Sequence, residues 1–370
     1  MATRGWRDRT LLDLLTEYGL ELLPEHEFPN DGWSGATFTS LLDGFGRRFV
    51  LKRTSLTKDW IARATQDGEL REGWLAARSG TMSWIPQAVV PYLGAAADGD
   101  GVAILAPDLS TELIAWERPG HDPAIDFETM SRVVGAVARL HAIPWSRMLE
   151  ANAARDAESP PPWCPLPERL TLLSPEAATR YQAAGNEVGS RFLAGWDAFT
   201  NVAPPDASTL VERLSADVTP LVDALGKLPS LGLHGDLKLA NVALLPDERV
   251  GFIDWQMTLR APIAVELGWF LVSNSGSLPA QPERVMAAYR EALEWDSGRW
   301  GFALEANDIA ALAGDWDRQL GLTWIVGLLL RGWRKGLDAA AGVSLPSGVS
   351  AADDLAWWCR QAVDAADRLL

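Results

Sequence analysis

The stretch Leu231–Gln256, LGLHGDLKLANVALLPDERVGFIDWQ, constrains the chain more than any other. It opens on apolar residues, breaks at His234-Gly235-Asp236, and places Asn241 five residues after Asp236. An apolar run from Val242 to Leu245 follows, then the polar turn Pro246-Asp247-Glu248. A second apolar run, Val250 to Ile253, ends on Asp254. This pattern predicts a loop followed by a β-hairpin, with two carboxylates and one amide returned to the same place.

Phosphoryl transfer needs that set of groups. One carboxylate accepts a proton from the attacking hydroxyl or orients it, and a second, with an amide oxygen, holds Mg²⁺ against nucleotide phosphates. The D-x-x-x-x-N spacing followed by a strand-end Asp is the arrangement of kinase catalytic loops and metal sites. Asp236 reads as the base, Asn241 as a metal ligand and Asp254 as the main metal ligand. HGDLKLANV with FIDW resembles the aminoglycoside phosphotransferase and choline kinase branch of the protein-kinase-like fold. In that branch H-G-D stands where protein kinases have H-R-D, and Trp follows the metal Asp in place of Phe-Gly. The bland alternative, two loop aspartates and a turn asparagine, does not account for the spacing, the hairpin and the second Asp together.

At 370 residues, 48% hydrophobic and 22% charged, the chain has the composition of a soluble globular protein of one large domain or two lobes. Cys164 and Cys359 are the only cysteines, which gives neither a disulfide framework nor zinc spacing. MATRGWRDRT lacks the apolar core of a signal peptide, and the longest apolar run, Leu322–Leu330, is too short to span a bilayer. A cytoplasmic protein is expected. The net charge of −16 disfavours a nucleic-acid partner and favours a cationic small substrate. The eighteen Trp are expected mainly in the core.

Residues 10–18 have helical spacing, with Gly19 as the stop. Asn30 to Thr37 then leads into strands over 37–42 and 47–53 around the turn Asp43–Gly46. The resemblance implies that this segment covers the nucleotide phosphates, with Ser34 and Gly35 among the groups that approach them. It implies that Lys52 holds the α- and β-phosphates and takes an ion pair from a helix predicted over 59–79. Glu72 is the expected partner and Glu69 the alternative. Gly73 is unexpected in mid-helix, where glycine costs up to ~1 kcal/mol relative to alanine.

Two more strands are expected over 88–93 and 102–105, the first weakened by Pro91. Ala106-Pro107-Asp108 resembles the adenine-binding hinge, so Ala106 and Asp108 are assigned to the nucleotide. Residues 129–141 form an amphipathic helix ending in His141, for which a structural role is expected. Two or three helices are expected within 174–227, part of an insertion over 150–230 that builds the substrate pocket in relatives. Helices are also expected over 284–294, 308–334 and 353–370. At the centre, His234 is expected to brace the loop. Lys238 is a candidate to neutralise the transferring phosphoryl group, with an exposed loop lysine as the alternative. Glu266 stands where relatives carry an Asp that ties down the catalytic loop.

The resemblance covers nearly the full chain and implies an α+β, two-lobed protein-kinase-like fold with its active site in the interlobe cleft. The expected N-lobe is 1–107 and the C-lobe 108–370. The implied reaction is phosphorylation of a small-molecule hydroxyl by ATP or GTP with Mg²⁺, by a monomer or homodimer. An aminoglycoside or amino sugar comes first as substrate, which would make the protein an antibiotic-resistance enzyme. A choline-like amino alcohol, a sugar or another hydroxylated metabolite or antibiotic follows. A nucleotide-binding pseudokinase is the alternative of another class, and a protein kinase, lacking D-F-G and A-P-E here, the third.

Overall fold

The computed structural model describes residues 5–21, 34–82, 85, 88–114, 125–155, 159–296 and 314–370. The chain divides into two compact units, each assembled from separate stretches. One comprises Met1–Glu117, Trp145–Cys164 and Ala240–Thr258, and the other Arg118–Pro144, Pro165–Leu239 and Leu259–Leu370.

The first unit is built on an antiparallel sheet. Its strands are β1 (Thr37–Leu42) and β2 (Arg48–Ser55), then, beyond a two-residue strand β3 (Ala88–Val89), β4 (Gly94–Asp98) and β5 (Gly101–Pro107). They order as β1-β2-β5-β4, with Lys52 opposite Phe38 on one side and Ile104 on the other. The turn between β1 and β2 is held by Asp43, whose carboxylate accepts the N–H groups of Phe45 and Arg47 at 2.9 and 2.8 Å. The helix Leu11–Glu17 starts with a reciprocal Thr10–Asp13 capping box. It packs Leu14 and Leu15 with Leu41, Leu51 and Leu105 in the core of the unit.

The single helix expected over 59–79 is two short ones, Trp60–Ala64 and Arg71–Ala76. Gln66 and Leu70 between them have φ of 55° and 51°, which a continuous right-handed helix does not permit. Asp59 caps the first helix at the Ala62 N–H, and the Asp67 carboxylate accepts the Arg71 N–H at the start of the second. Gly73 is explained by packing: a Cβ there would lie 2.7 Å from Cγ2 of Val102 on β5. The strand expected over 88–93 is shorter still. Only Ala88–Val89 pairs, parallel to Val250–Gly251, and Tyr92 and Leu93 lie outside it, as Pro91 requires.

Catalytic-loop flanks and hairpin follow the expected order: β6 (Leu231–Leu233), β7 (Val242–Leu244), β8 (Val250–Phe252) and β9 (Leu259–Ala261). β7 and β8 form the hairpin in the first unit, and β6 pairs with β9 in the second. The rest of the second unit is helical. The Phe127–Ala142 helix buries Val133, Val134, Val137 and Leu140, as its amphipathic pattern predicts. After a short helix Leu166–Thr171, four helices, Pro175–Ala183, Glu187–Val202, Pro205–Ala216 and Thr219–Leu225, stand where two or three were expected. Pro175, Pro205 and Pro220 near helix starts divide a segment that hydrophobic periodicity alone reads as longer helices. The C-terminal helices are Pro282–Asp296, Trp316–Ala340 and Ala351–Leu369; positions 308–313 of the expected long helix lie outside the described residues. Trp333 and Trp358 are fully buried, and Trp324, Trp357 and Trp358 meet edge to face at 5.2 to 5.4 Å, which accounts for part of the Trp content as core. Among the described residues no helix is long and apolar enough to cross a membrane.

Candidate active site

Strand alternation turns Lys52 to the side of the sheet where the Arg71–Ala76 helix packs, and the ammonium finds two carboxylates there. Its Nζ donates to Glu72 at 2.6 Å and to Asp254 at 2.7 Å. Glu69, the alternative partner, pairs with Arg7 at the surface instead. Burial pulls the Lys52 pKa down, but Asp254 and Glu72 outweigh it and raise it above the ordinary lysine range. Glu72 is pushed up by its burial and by the nearby Asp254 charge against the pull of Lys52. One ammonium therefore serves two carboxylates, and the buried one is the harder to keep ionised.

Tyr92 completes this cluster and carried no sequence signal. Its hydroxyl donates to the second oxygen of Glu72 and accepts the backbone N–H groups of Asp254 and Trp255 at 3.1 and 3.2 Å. Burial raises the phenol pKa well above its usual value, with Glu72 adding to the rise, so the hydroxyl stays a donor. Asp254 has φ 65° and ψ 60°, a left-handed conformation that a non-glycine residue adopts only when its surroundings hold it there. Around the same turn, Gln256 donates to Asp59 and its carbonyl accepts from Arg71 at 2.8 Å. The Trp255 ring lies edge-on to Trp145 at 5.8 Å.

The hairpin explains why Asn241 and Asp254 are neighbours. Val242 pairs with Phe252, and the Ile253 N–H donates to the Asn241 carbonyl at 3.0 Å, which sets Asn241 beside the end of β8. Asn241 is buried and Asp254 is partly exposed.

Of the phosphate-loop expectation, Asn30 to Trp33 lie outside the described residues. Ser34 accepts the Ala36 N–H at 3.4 Å. Gly35 has φ +89°, and a Cβ there would lie 2.7 Å from the Lys58 carbonyl, so the position requires glycine for both reasons. At the expected hinge, Ala106 pairs with Val50 within the sheet. The Asp108 N–H is taken by the Arg48 carbonyl at 3.1 Å, and the Asp108 carboxylate accepts the Ser110 N–H at 3.0 Å. With Pro107 lacking an N–H, neither 107 nor 108 has a backbone donor to offer a ligand.

In the second unit, the loop carrying Asp236 is clamped from several helices. Glu266 accepts the N–H of His234 at 2.8 Å and of Gly235 at 2.7 Å, so it ties down the loop that carries Asp236, as expected of the position. Burial pushes the Glu266 carboxyl up, but the hydrogen bond with His141, the neighbouring imidazoles and the Gly235 N–H outweigh it and hold the pKa below the usual range. His141 Nε2 lies 3.2 Å from Glu266, and its Nδ1 meets the Tyr289 hydroxyl at 2.8 Å, an entirely buried brace. Arg169 donates to the Gly235 carbonyl at 2.9 Å, and Asn274 accepts the Leu239 N–H at 3.0 Å. His234 is spent within the loop, accepting the Asp236 N–H at 3.2 Å. Lys238 Nζ is 3.9 Å from the Asp236 carboxylate, and both side chains remain partly exposed. Arg169, Asn274 and Tyr289, like Tyr92, are remote in sequence from the motif they support.

A sequence model of the phosphotransferase enzyme family matches residues 25–302. No curated protein sequence matches the chain significantly. Among solved structures, a macrolide 2'-phosphotransferase from Brachybacterium faecium is 19% identical, with 95% of this chain and 96% of that one covered and a TM-score of 0.44. An aminoglycoside-3'-phosphotransferase of type VIII is 21% identical, over 86% of this chain and 100% of that one, with a TM-score of 0.39. A choline kinase from Streptococcus pneumoniae is 10% identical, over 93% and 94%, with a TM-score of 0.45. With three quarters of its length matched by the family model, the chain belongs to the phosphotransferase enzyme family and is a small-molecule kinase.

Proposed function

We propose that this kinase transfers the γ-phosphoryl group of ATP to a hydroxyl of an amine-bearing small molecule, in a two-lobed kinase-like architecture. Aminoglycosides, amino sugars and choline-like amino alcohols fall within that class, and GTP is the alternative donor. Asp236 is the group that orients the acceptor hydroxyl and takes its proton, and Lys238, near its carboxylate, offsets charge on the group in transit. Lys52, kept charged by Glu72, holds the donor's phosphates, and the Ser34–Gly35 turn lets backbone approach them. Ala106 and Asp108 flank the base of the nucleotide, through backbone groups other than the Asp108 N–H.

Asp254 and Asn241 are the proposed Mg²⁺ ligands. A carboxylate and an amide oxygen suit a hard cation that keeps several waters and shares phosphate oxygens. When bound, the ion neutralises charge on the phosphates. The chain's own residues supply the rest: a fixed base, a fixed cation and an ordered turn.

The observation that carries this reading is Lys52 held at 2.6 and 2.7 Å between Glu72 and Asp254, the three charged groups that nucleotide handling requires, brought together from three distant parts of the chain. The test is Mg²⁺-dependent nucleotide consumption across a panel of amine-bearing alcohols and sugars, with Asp236→Ala in parallel. Turnover with one compound class, reduced about 10²–10⁴-fold in the variant, is expected. Equal rates in the two proteins would remove Asp236 from the mechanism.

A further inference from the structure

The second unit holds a cavity of about 520 Å³, within the size range of small-molecule sites. Its walls come from residues 275–282, which follow the Ile263–Ser273 helix, from the 345–349 loop, and from the first turns of the Ala351–Leu369 helix. Leu278, Leu345 and Trp357 give it apolar surface, and among the described residues the ionisable ones of its lining are Asp353, Asp354 and Arg360. The cavity is tied to the catalytic loop. Asn274, whose side chain holds the Leu239 N–H, directly precedes the lining residue Ser275.

Asp354 does not present a free negative charge to this cavity. Lys335, only 5% exposed on the Trp316–Ala340 helix, donates to Asp354 and also to the Ser275 hydroxyl at 2.7 Å. Its ammonium lies 5.2 Å from the Trp358 ring. Of the remaining charges, Asp353 and Arg360 are one of each sign. In a chain of net charge −16, the described part of this cavity's wall is therefore close to neutral.

We infer that the cavity selects an acceptor alcohol with an apolar body and at most one positive charge, and that Lys335, by neutralising Asp354, excludes polycationic aminoglycosides. The inference rests on the phosphotransfer reading above and narrows its substrate class. A single ammonium can use Asp353 and the Trp357 ring. Each further ammonium would lose part of its hydration without gaining a counter-charge from the described wall. Exclusion by missing charge is a form of specificity by unfavourable contacts, and here it comes from a lysine that itself stays out of the cavity lining.

The experiment compares kcat/KM for two sets of alcohols: glycosides carrying one amine on a large apolar body, and aminoglycosides carrying three or more amines. The wild-type protein is expected to favour the first set by at least about tenfold, the effect of one uncompensated ammonium after partial solvation. Arg360→Glu, at an exposed position that does not threaten folding, should raise kcat/KM for the polycations about 3- to 10-fold and so narrow the ratio. Lys335→Met should act in the same direction by releasing Asp354. A preference for polycations would overturn the inference while leaving the phosphotransfer reading standing. An unchanged ratio in Arg360→Glu would mean that the acceptor does not occupy this cavity. Consumption of neither set, by a protein that still binds nucleotide, would overturn both.

Discussion

Replacing Tyr92 by Phe tests the role proposed for the Lys52–Glu72–Asp254 cluster, because it deletes one oxygen and leaves the ring. That oxygen makes three hydrogen bonds, one to the buried Glu72 carboxylate and two to the N–H groups of Asp254 and Trp255. A hydrogen bond to a charged group contributes about 1.5–3 kcal/mol, and each N–H left unpaired in a buried site adds a desolvation cost of similar order. The terms share one atom and do not add simply, so an effect of about 2–3 kcal/mol on the assembled site is expected. Two consequences follow: Glu72 becomes easier to protonate, weakening its hold on Lys52, and the left-handed turn at Asp254 loses the acceptor that fixes its two N–H groups. Expressed in kcat/KM for nucleotide, 2–3 kcal/mol is about a 30- to 150-fold loss. The assay is initial rate against Mg²⁺ concentration at fixed nucleotide, with Mn²⁺ binding by spectroscopy as a readout independent of turnover. The Phe variant should need more metal in both. A folded variant with wild-type metal dependence and rate would show that Tyr92 only fills space, and the argument from its hydroxyl would fail.

Two further predictions concern other buried carboxylates. Glu266→Gln replaces one of two acceptor oxygens that hold the His234 and Gly235 N–H groups, so kcat should fall about 10- to 100-fold, the effect of roughly 1.4–2.7 kcal/mol, while nucleotide affinity stays unchanged. Loss of nucleotide binding instead would show that Glu266 supports folding in general rather than the loop. Burial raises the Asp67 carboxyl to about 6 against the pull of Arg71. A carboxyl raised in the folded state contributes stability fully below its unfolded pKa and loses it as pH rises through the folded value. Between about pH 4 and 7, urea denaturation should therefore show the stability of the wild type falling relative to Asp67→Asn by up to about 3 kcal/mol. A difference that is flat with pH would contradict the assigned shift.

The loop-and-hairpin motif proposed to be catalytic was legible because its parts are close in sequence and their geometry is local. Asp236, Asn241 and Asp254 lie on one loop and one hairpin, and the register of β7 with β8 follows from two apolar runs around a polar turn. Lys52 was legible for a similar reason, closing the apolar run Phe49–Leu51 one turn after a glycine-containing segment. The choice between Glu72 and Glu69 was not. Both stand near the right helix, and only the break at Gln66 and Leu70, which aims Glu72 inward and leaves Glu69 to Arg7, decides it. The single helix over 59–79 was the reading that periodicity favours, because two residues at positive φ leave no compositional trace.

By itself, the sequence determined which residues are the candidates for the chemistry, since spacing along a loop or hairpin is fixed by covalent geometry and short-range pairing. Only the tertiary structure decided what holds them. Tyr92 joins Glu72 to the Asp254 turn, and Arg169, Asn274 and the His141–Tyr289 pair brace the Asp236 loop, each from a separate element. It also decided that Gly73 is there for Val102, and that Lys335 silences Asp354. These are contacts between residues tens to hundreds of positions apart. A pattern read over a few turns of chain cannot contain them, because they come from the way whole elements pack.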